Sequence, residues 1–153
     1  MGEFTQAGCV SRGLKDGEIF KVGALSIQAL YTPGHTDESF SFVLNATQPE
    51  AVFTGDTLLI RGTGRTDFQG GSAHKSWQSI TGRLFQLPDN TKVYPGHDYK
   101  GWTVSTIAEE KCCNPRLAGL SEAEYVAIMA SLNLPDPALM DIAIPANLAC
   151  GQS

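Results

Sequence analysis

Nowhere in this chain does an apolar run reach the roughly 18 residues that a membrane-spanning helix requires. No block of about five like charges occurs either. With a net charge of −5, that argues against nucleic acid or an anionic membrane surface as the main partner. Residues 1–18 lack the apolar core of a secretory signal. Cysteine is scarce, and Cys9, Cys112, Cys113 and Cys150 match neither zinc-ribbon spacing nor a dense disulfide framework. Neighbouring cysteines bond to one another only with strain. Free thiols in a reducing cytosol are therefore expected, and with them a cytoplasmic location. Histidine is scarcer still: His35, His74 and His97 are the full set.

What remains is ordinary globular protein. Apolar residues make up 42% and charged residues 18%. The length suits one domain with a real core, so a single domain over 1–153 is expected. Leu25 to Leu30 and Ser39 to Leu44 alternate as strands do, and Ala51 to Thr54 and Lys92 to Tyr94 are short strand-like runs. A polar turn over 45–50 separates the second from the third. Residues 61–71, with glycines at 62, 64, 70 and 71, must be a loop. Ser72 can then cap a helix whose apolar face is Trp77, Ile80, Leu84 and Leu87, ending at Pro88. A second helix is expected over Thr103 to Lys111, stopped by Asn114-Pro115. A third follows the capping box at Ser121 and Glu124, with Tyr125, Ile128, Met129 and Leu132 as its stripe. Leu134 to Ser153 contains three prolines and reads as an irregular tail. Strands alternating with helices predict an α/β arrangement.

Three strand ends carry the chemistry. Pro33-Gly34-His35 and Pro95-Gly96-His97 repeat one tripeptide, and Thr54-Gly55-Asp56 lies between them. Each closes a short apolar run. Imidazole with carboxylate suits zinc, iron or manganese, and strand-end loops let a rigid sheet aim several such groups at one point. Their wide separation in sequence suits ligands from different strands rather than a local finger. His74, at the start of an amphipathic helix, reads as a surface residue. The glycine-rich loop has neither Walker nor dinucleotide-binding spacing. Arg65 either binds an anion with its guanidinium fork or stiffens the loop by pairing with Asp67; Arg61 is a further candidate for an anion. Lys100 is either an anion contact or an exposed lysine. Tyr99 either aims its hydroxyl at the site or packs.

Taken together, YTPGHTDESFSFVL, VFTGDTLLIRGTGRTDFQGG, VYPGHDYKGWTVSTIAEEK, NPRL, NLPDP and IPANLACG resemble the metallo-β-lactamase superfamily. More narrowly, they resemble its persulfide dioxygenases, which oxidise glutathione persulfide at one non-haem iron. The likeness runs from about residue 12 to the C-terminus. It implies the C-terminal half of an αββα sandwich. It also implies Fe(II), with zinc as the alternative, on His35 and Asp56. His97 and Tyr99 would stand beside the metal as catalytic residues, and Arg65 and Lys100 would hold a glutathione persulfide or related small thiol. The superfamily's H-x-H-x-D-H motif, source of the third ligand, occurs nowhere in these residues. A homodimer or a companion N-terminal half is the expected partner. Two alternatives stay open: a non-catalytic half-domain used for assembly, and a glyoxalase II-like thioester hydrolase.

Overall fold

Alternating side chains build the centre of a six-stranded sheet. The computed structural model describes residues 2–5, 7–68, 70–135 and 139–151. Its strands are β1 (Ile19–Val22), β2 (Leu25–Tyr31), β3 (Phe40–Leu44), β4 (Ala51–Gly55), β5 (Lys92–Pro95) and β6 (Ser105–Thr106), and they lie side by side in that order. Every neighbouring pair is antiparallel except β4 with β5. That one parallel pair needs a crossover, and α1 (Ala73–Gly82) supplies it. Helices α2 (Ile107–Cys113), α3 (Glu122–Ser131) and α4 (Met140–Leu148) follow the sheet. No helix among the described residues is long and apolar enough to cross a membrane.

The register sorts side chains onto two unlike faces. Val43 pairs with Val52 and Val52 with Val93, so all three point the same way. They are fully buried against Ile80 of α1, Leu84, Ile107 of α2, and Tyr125 and Met129 of α3. Cutting one of the large aliphatic members of this cluster to alanine costs about 2–5 kcal/mol. The opposite face carries Phe20, Ile27, Phe42, Leu44, Phe53 and Tyr94. Phe53 stacks on Tyr94 at 5.7 Å and Phe20 meets Phe42 edge-on at 6.4 Å, yet none of these six side chains is buried. Phe53 stays 44% exposed.

Several expectations need correcting. The first helix ends at Gly82, because Arg83 leaves helical geometry (φ −126°, ψ −61°); Leu84–Gln86 then forms a 3-10 turn. The second starts later than its sequence pattern implies. Ser105–Thr106 first pairs with β5, and Thr106 caps α2 through a box with Glu109. The stretch expected to be an irregular tail contains α4, with Pro145 inside it. Proline there removes one donor, but Asp141, which would have received it, is exposed and open to water. Asp136, Pro137, Ala138, Gln152 and Ser153 of that stretch, and Gln69 of the glycine-rich loop, lie outside the described residues. The cysteines are not free: Cys9 bonds to Cys150 and Cys112 to Cys113. The first pair joins an N-terminal segment to the end of α4 with its Cα atoms 6.1 Å apart, an ordinary span for a disulfide.

Candidate functional site

Strands β2, β4 and β5 all run in one direction, since β3 is antiparallel to both β2 and β4 and β5 is parallel to β4. Their carboxyl ends therefore share one edge of the sheet. His35, Asp56 and His97 leave from those three ends, and the fold brings them together. His97 Nδ1 lies 2.8 Å from both Asp56 oxygens. His35 Nε2 lies 3.7 Å from Asp56 Oδ2, beyond hydrogen-bond range, and its Nδ1 is 2.8 Å from the Arg65 carbonyl oxygen. Two turns are glycine-dependent. Gly55 has φ 52°, and Gly34 (φ 147°) sits so close to α1 that a Cβ would lie 2.3 Å from the Ser76 Cα. Among the described residues no three histidine, cysteine or acidic side chains converge in a geometry ready to hold a metal ion.

Over this corner lies a cavity of about 560 Å³. Its wall is the loop after Asp56, and α2 holds that loop. Glu110, fully buried, accepts from the Arg61 backbone N–H at 2.9 Å and pairs with the Arg61 guanidinium. Those contacts fix Arg61 in the left-handed region at φ 56°. Asn114 Nδ2 donates to Gly62 O at 3.0 Å, and Arg116 Nη1 donates to Thr63 O at 2.6 Å. A larger hollow, about 860 Å³, opens on the uncovered sheet face between Leu44, Phe53, Lys92 and Tyr94. It holds no imidazole and lies toward the opposite strand ends, so the smaller cavity is the chemically relevant one.

The sequence candidates occupy it unequally. Tyr99 lines the mouth, 80% exposed, with its ring stacked on that of His97 at 6.1 Å and 9°. Lys100 lines it too; its Nζ has no carboxylate partner among the described residues and lies 5.3 Å from the Trp102 ring. Arg65 gives Nε and Nη2 to Asp67, both at 2.7 Å, and Nη1 to Pro135 O at 2.9 Å. The Arg65 hydrogen bonds hold the Asp67 carboxyl below its usual range, and an arriving anion would compete with that pair. Arg61 is engaged by Glu109 and Glu110. His74 is exposed, as expected, and meets Glu122 at 3.0 Å.

Arg116 was not singled out in the sequence. It lines the cavity, half-buried, and its guanidinium donates to Thr63, with no acidic partner among the described residues. Burial pulls its guanidinium below the ordinary arginine value. Its one sequence signal was position, a cation directly after a helix-stopping Asn-Pro, and that says nothing about which way the side chain turns.

Fold and corner together define a class: α/β proteins that gather imidazole and carboxylate groups at the ends of their strands. A sequence model of the metallo-beta-lactamase superfamily matches residues 11–97, more than half of the chain. The chain belongs to that superfamily. Human mitochondrial persulfide dioxygenase ETHE1 is 48% identical over 138 residues, spanning 90% of this chain and 53% of the human protein. ETHE1 from Myxococcus xanthus superposes with a TM-score of 0.93 at 54% identity, covering 99% of this chain and 65% of that one. TTHA1623, solved in a di-iron-bound form, aligns with a TM-score of 0.57 at 31% identity over 69% of this chain and 48% of its own. The chain spans about half the length of the curated relatives it matches. These relatives bear out the persulfide dioxygenase resemblance and the α/β sandwich fold expected from it.

Proposed function

We propose that this chain forms the larger share of a persulfide dioxygenase site that takes a small thiol-derived persulfide. The supporting observation is the convergence of His35, Asp56 and His97 beside a cavity walled by Arg116 and Lys100. His35 Nε2 and Asp56 Oδ2 face each other across 3.7 Å, and nitrogen with carboxylate oxygen is a donor set that suits Fe(II), or zinc as the alternative. The fit is to two protein ligands. A companion segment, whether of the same polypeptide or of another copy of this chain, supplies the third and packs on the open face of Phe20, Phe42, Phe53 and Tyr94.

When bound, iron supplies the redox chemistry that joins oxygen to sulfur. The protein's work is positional. Lys100 and Arg116 attract the anionic end of the substrate, so the sulfur end points toward His35 and Asp56. Leu59 and Leu134 line the same cavity and limit water there. His97 holds the Asp56 carboxylate through Nδ1 and is braced by Tyr99. No step uses the Arg65 side chain, whose fork is engaged by Asp67.

Metal content after anaerobic incubation with Fe(II) and removal of excess metal tests this reading. Near-stoichiometric iron in the wild type, lost in Asp56→Ala and retained in His74→Ala, is the expected result. Oxygen uptake with glutathione persulfide then follows. Negligible iron and zinc in the wild-type chain would overturn the enzymatic reading. It would favour a non-catalytic half-domain. Zinc retention with thioester cleavage would point to the hydrolase alternative.

A further inference from the structure

The loop after Asp56 does more than wall the cavity. Arg65 O lies 2.8 Å from His35 Nδ1. A carbonyl oxygen carries only lone pairs, so Nδ1 must be the donor. In the neutral ring Nε2 is then the unprotonated nitrogen, and Nε2 is the atom that faces Asp56. The approach depends on Gly64. A Cβ at Gly64 would lie 2.1 Å from the Asp56 carbonyl oxygen, 2.9 Å from His35 Nδ1 and 3.0 Å from His35 Cγ. Gly64 is not in the left-handed region, so what it supplies is room rather than backbone freedom. Its N–H also donates to Asp56 O at 2.9 Å, which ties the loop to the strand end bearing the carboxylate. Gly62, two residues earlier, differs: a Cβ there would meet only Leu59 Cβ, at an ordinary 3.8 Å.

We propose that Gly64 and the Arg65 carbonyl form a positioning device that holds His35 in the Nδ1-protonated tautomer with its Nε2 lone pair turned toward Asp56. The purpose of this device rests on the metal-site reading above; its existence does not. In the neutral ring a lone pair and a carboxylate oxygen face each other without a hydrogen between them, an arrangement that favours a cation in the gap. The glycine-rich loop thus acts on the site through its backbone, and Gly64 among its glycines is the one whose missing side chain His35 and Asp56 both need.

The ring nitrogens of His35 can be read directly, by long-range 15N–1H correlation spectra of the metal-free protein at about pH 8.5, above the usual imidazole range. Three histidines make assignment simple, with His35→Gln identifying its own signals. The wild type is expected to show His35 protonated at Nδ1. Gly64→Ala should shift the ring toward the other tautomer or a mixture, and Gly62→Ala should leave it unchanged. Fe(II) or Zn(II) affinity should fall by about 10- to 100-fold in Gly64→Ala, as for other losses of a ligand's supporting contacts. An Nε2-protonated His35 in the wild type would overturn the proposal, even if Gly64→Ala does not fold. So would an unchanged ring in a folded Gly64→Ala. An Nδ1-protonated ring in a wild-type protein that takes up no metal would leave the positioning device standing and sink the metal reading alone.

Discussion

Glu110 and Asp56 are both carboxylates shielded from water, and they are shielded in opposite ways. Glu110 is fully buried, and its two oxygens receive the Arg61 guanidinium and backbone, Ser105 Oγ and Asn114 Nδ2. Its bonding capacity is spent inside the chain. Asp56 has a side chain 19% exposed, sits at the edge of a cavity, and is approached by two imidazoles, only one within hydrogen-bond range. A satisfied buried charge organises its surroundings, and an under-committed one at a cavity is left to meet something else. The two are linked, because the loop that Glu110 clamps is the wall of the Asp56 site.

The contrast can be broken most forcefully at Glu110. Glu110→Ala takes the buried acidic partner from Arg61, which keeps only Glu109 at 3.5 Å, and one of two acceptors from Asn114 Nδ2, and should lower unfolding free energy by about 3 kcal/mol in chemical denaturation. Asp56→Ala should change stability far less while removing bound metal. Equal stability losses in the two variants would erase the distinction. A smaller effect is expected at Arg116, the half-buried cavity cation that donates to Thr63 and has no acidic partner among the described residues. Arg116→Met should weaken glutathione binding, read by calorimetry, by about tenfold, or roughly 1.4 kcal/mol, with the melting temperature nearly unchanged. A large loss of stability instead would make Arg116 a second clamp on Thr63 rather than a ligand contact.

Asp67 lies between these cases and gives the smallest effect. It is paired to Arg65 yet half exposed, so solvent screens the pair and its worth is at most about 1 kcal/mol. Its folded-state pKa is depressed, chiefly by the Arg65 hydrogen bonds. The stability it contributes is therefore present above the usual aspartate value of about 4 and lost as pH falls below it. Thermal melts of wild type and Asp67→Asn should differ near pH 5 and converge as the pH falls well below the usual aspartate range. A gap that persists at low pH would show that the pair's charge is irrelevant to the loop.

How much of this was legible in the sequence follows from the kind of signal each part leaves. Strands β2 to β5 alternate or form short apolar runs, and Ser121 and Glu124 announce α3. By contrast, β6 is two residues long and exists only because β5 offers an edge. No local pattern could reveal it. Helix α4 was hidden by its prolines, although only Pro145 falls inside it. At the site, His35, Asp56 and His97 were readable because each closes a strand. Arg116 and Gly64 were not, since their importance lies in direction and spacing across the fold: one turns toward a cavity, the other leaves room beneath an imidazole.

The common direction of β2, β4 and β5 has a consequence for variation. The connections at the far edge, Gly23-Ala24, residues 45–50 and residues 88–91, are separated from His35, Asp56 and His97 by whole strands. Neighbouring strands stay about 4.8 Å apart whatever those turns contain. Lineages, or engineers, can lengthen or splice that edge while the chemistry at the other keeps its spacing. The sheet works as a ruler marked at one end and free for grafting at the other.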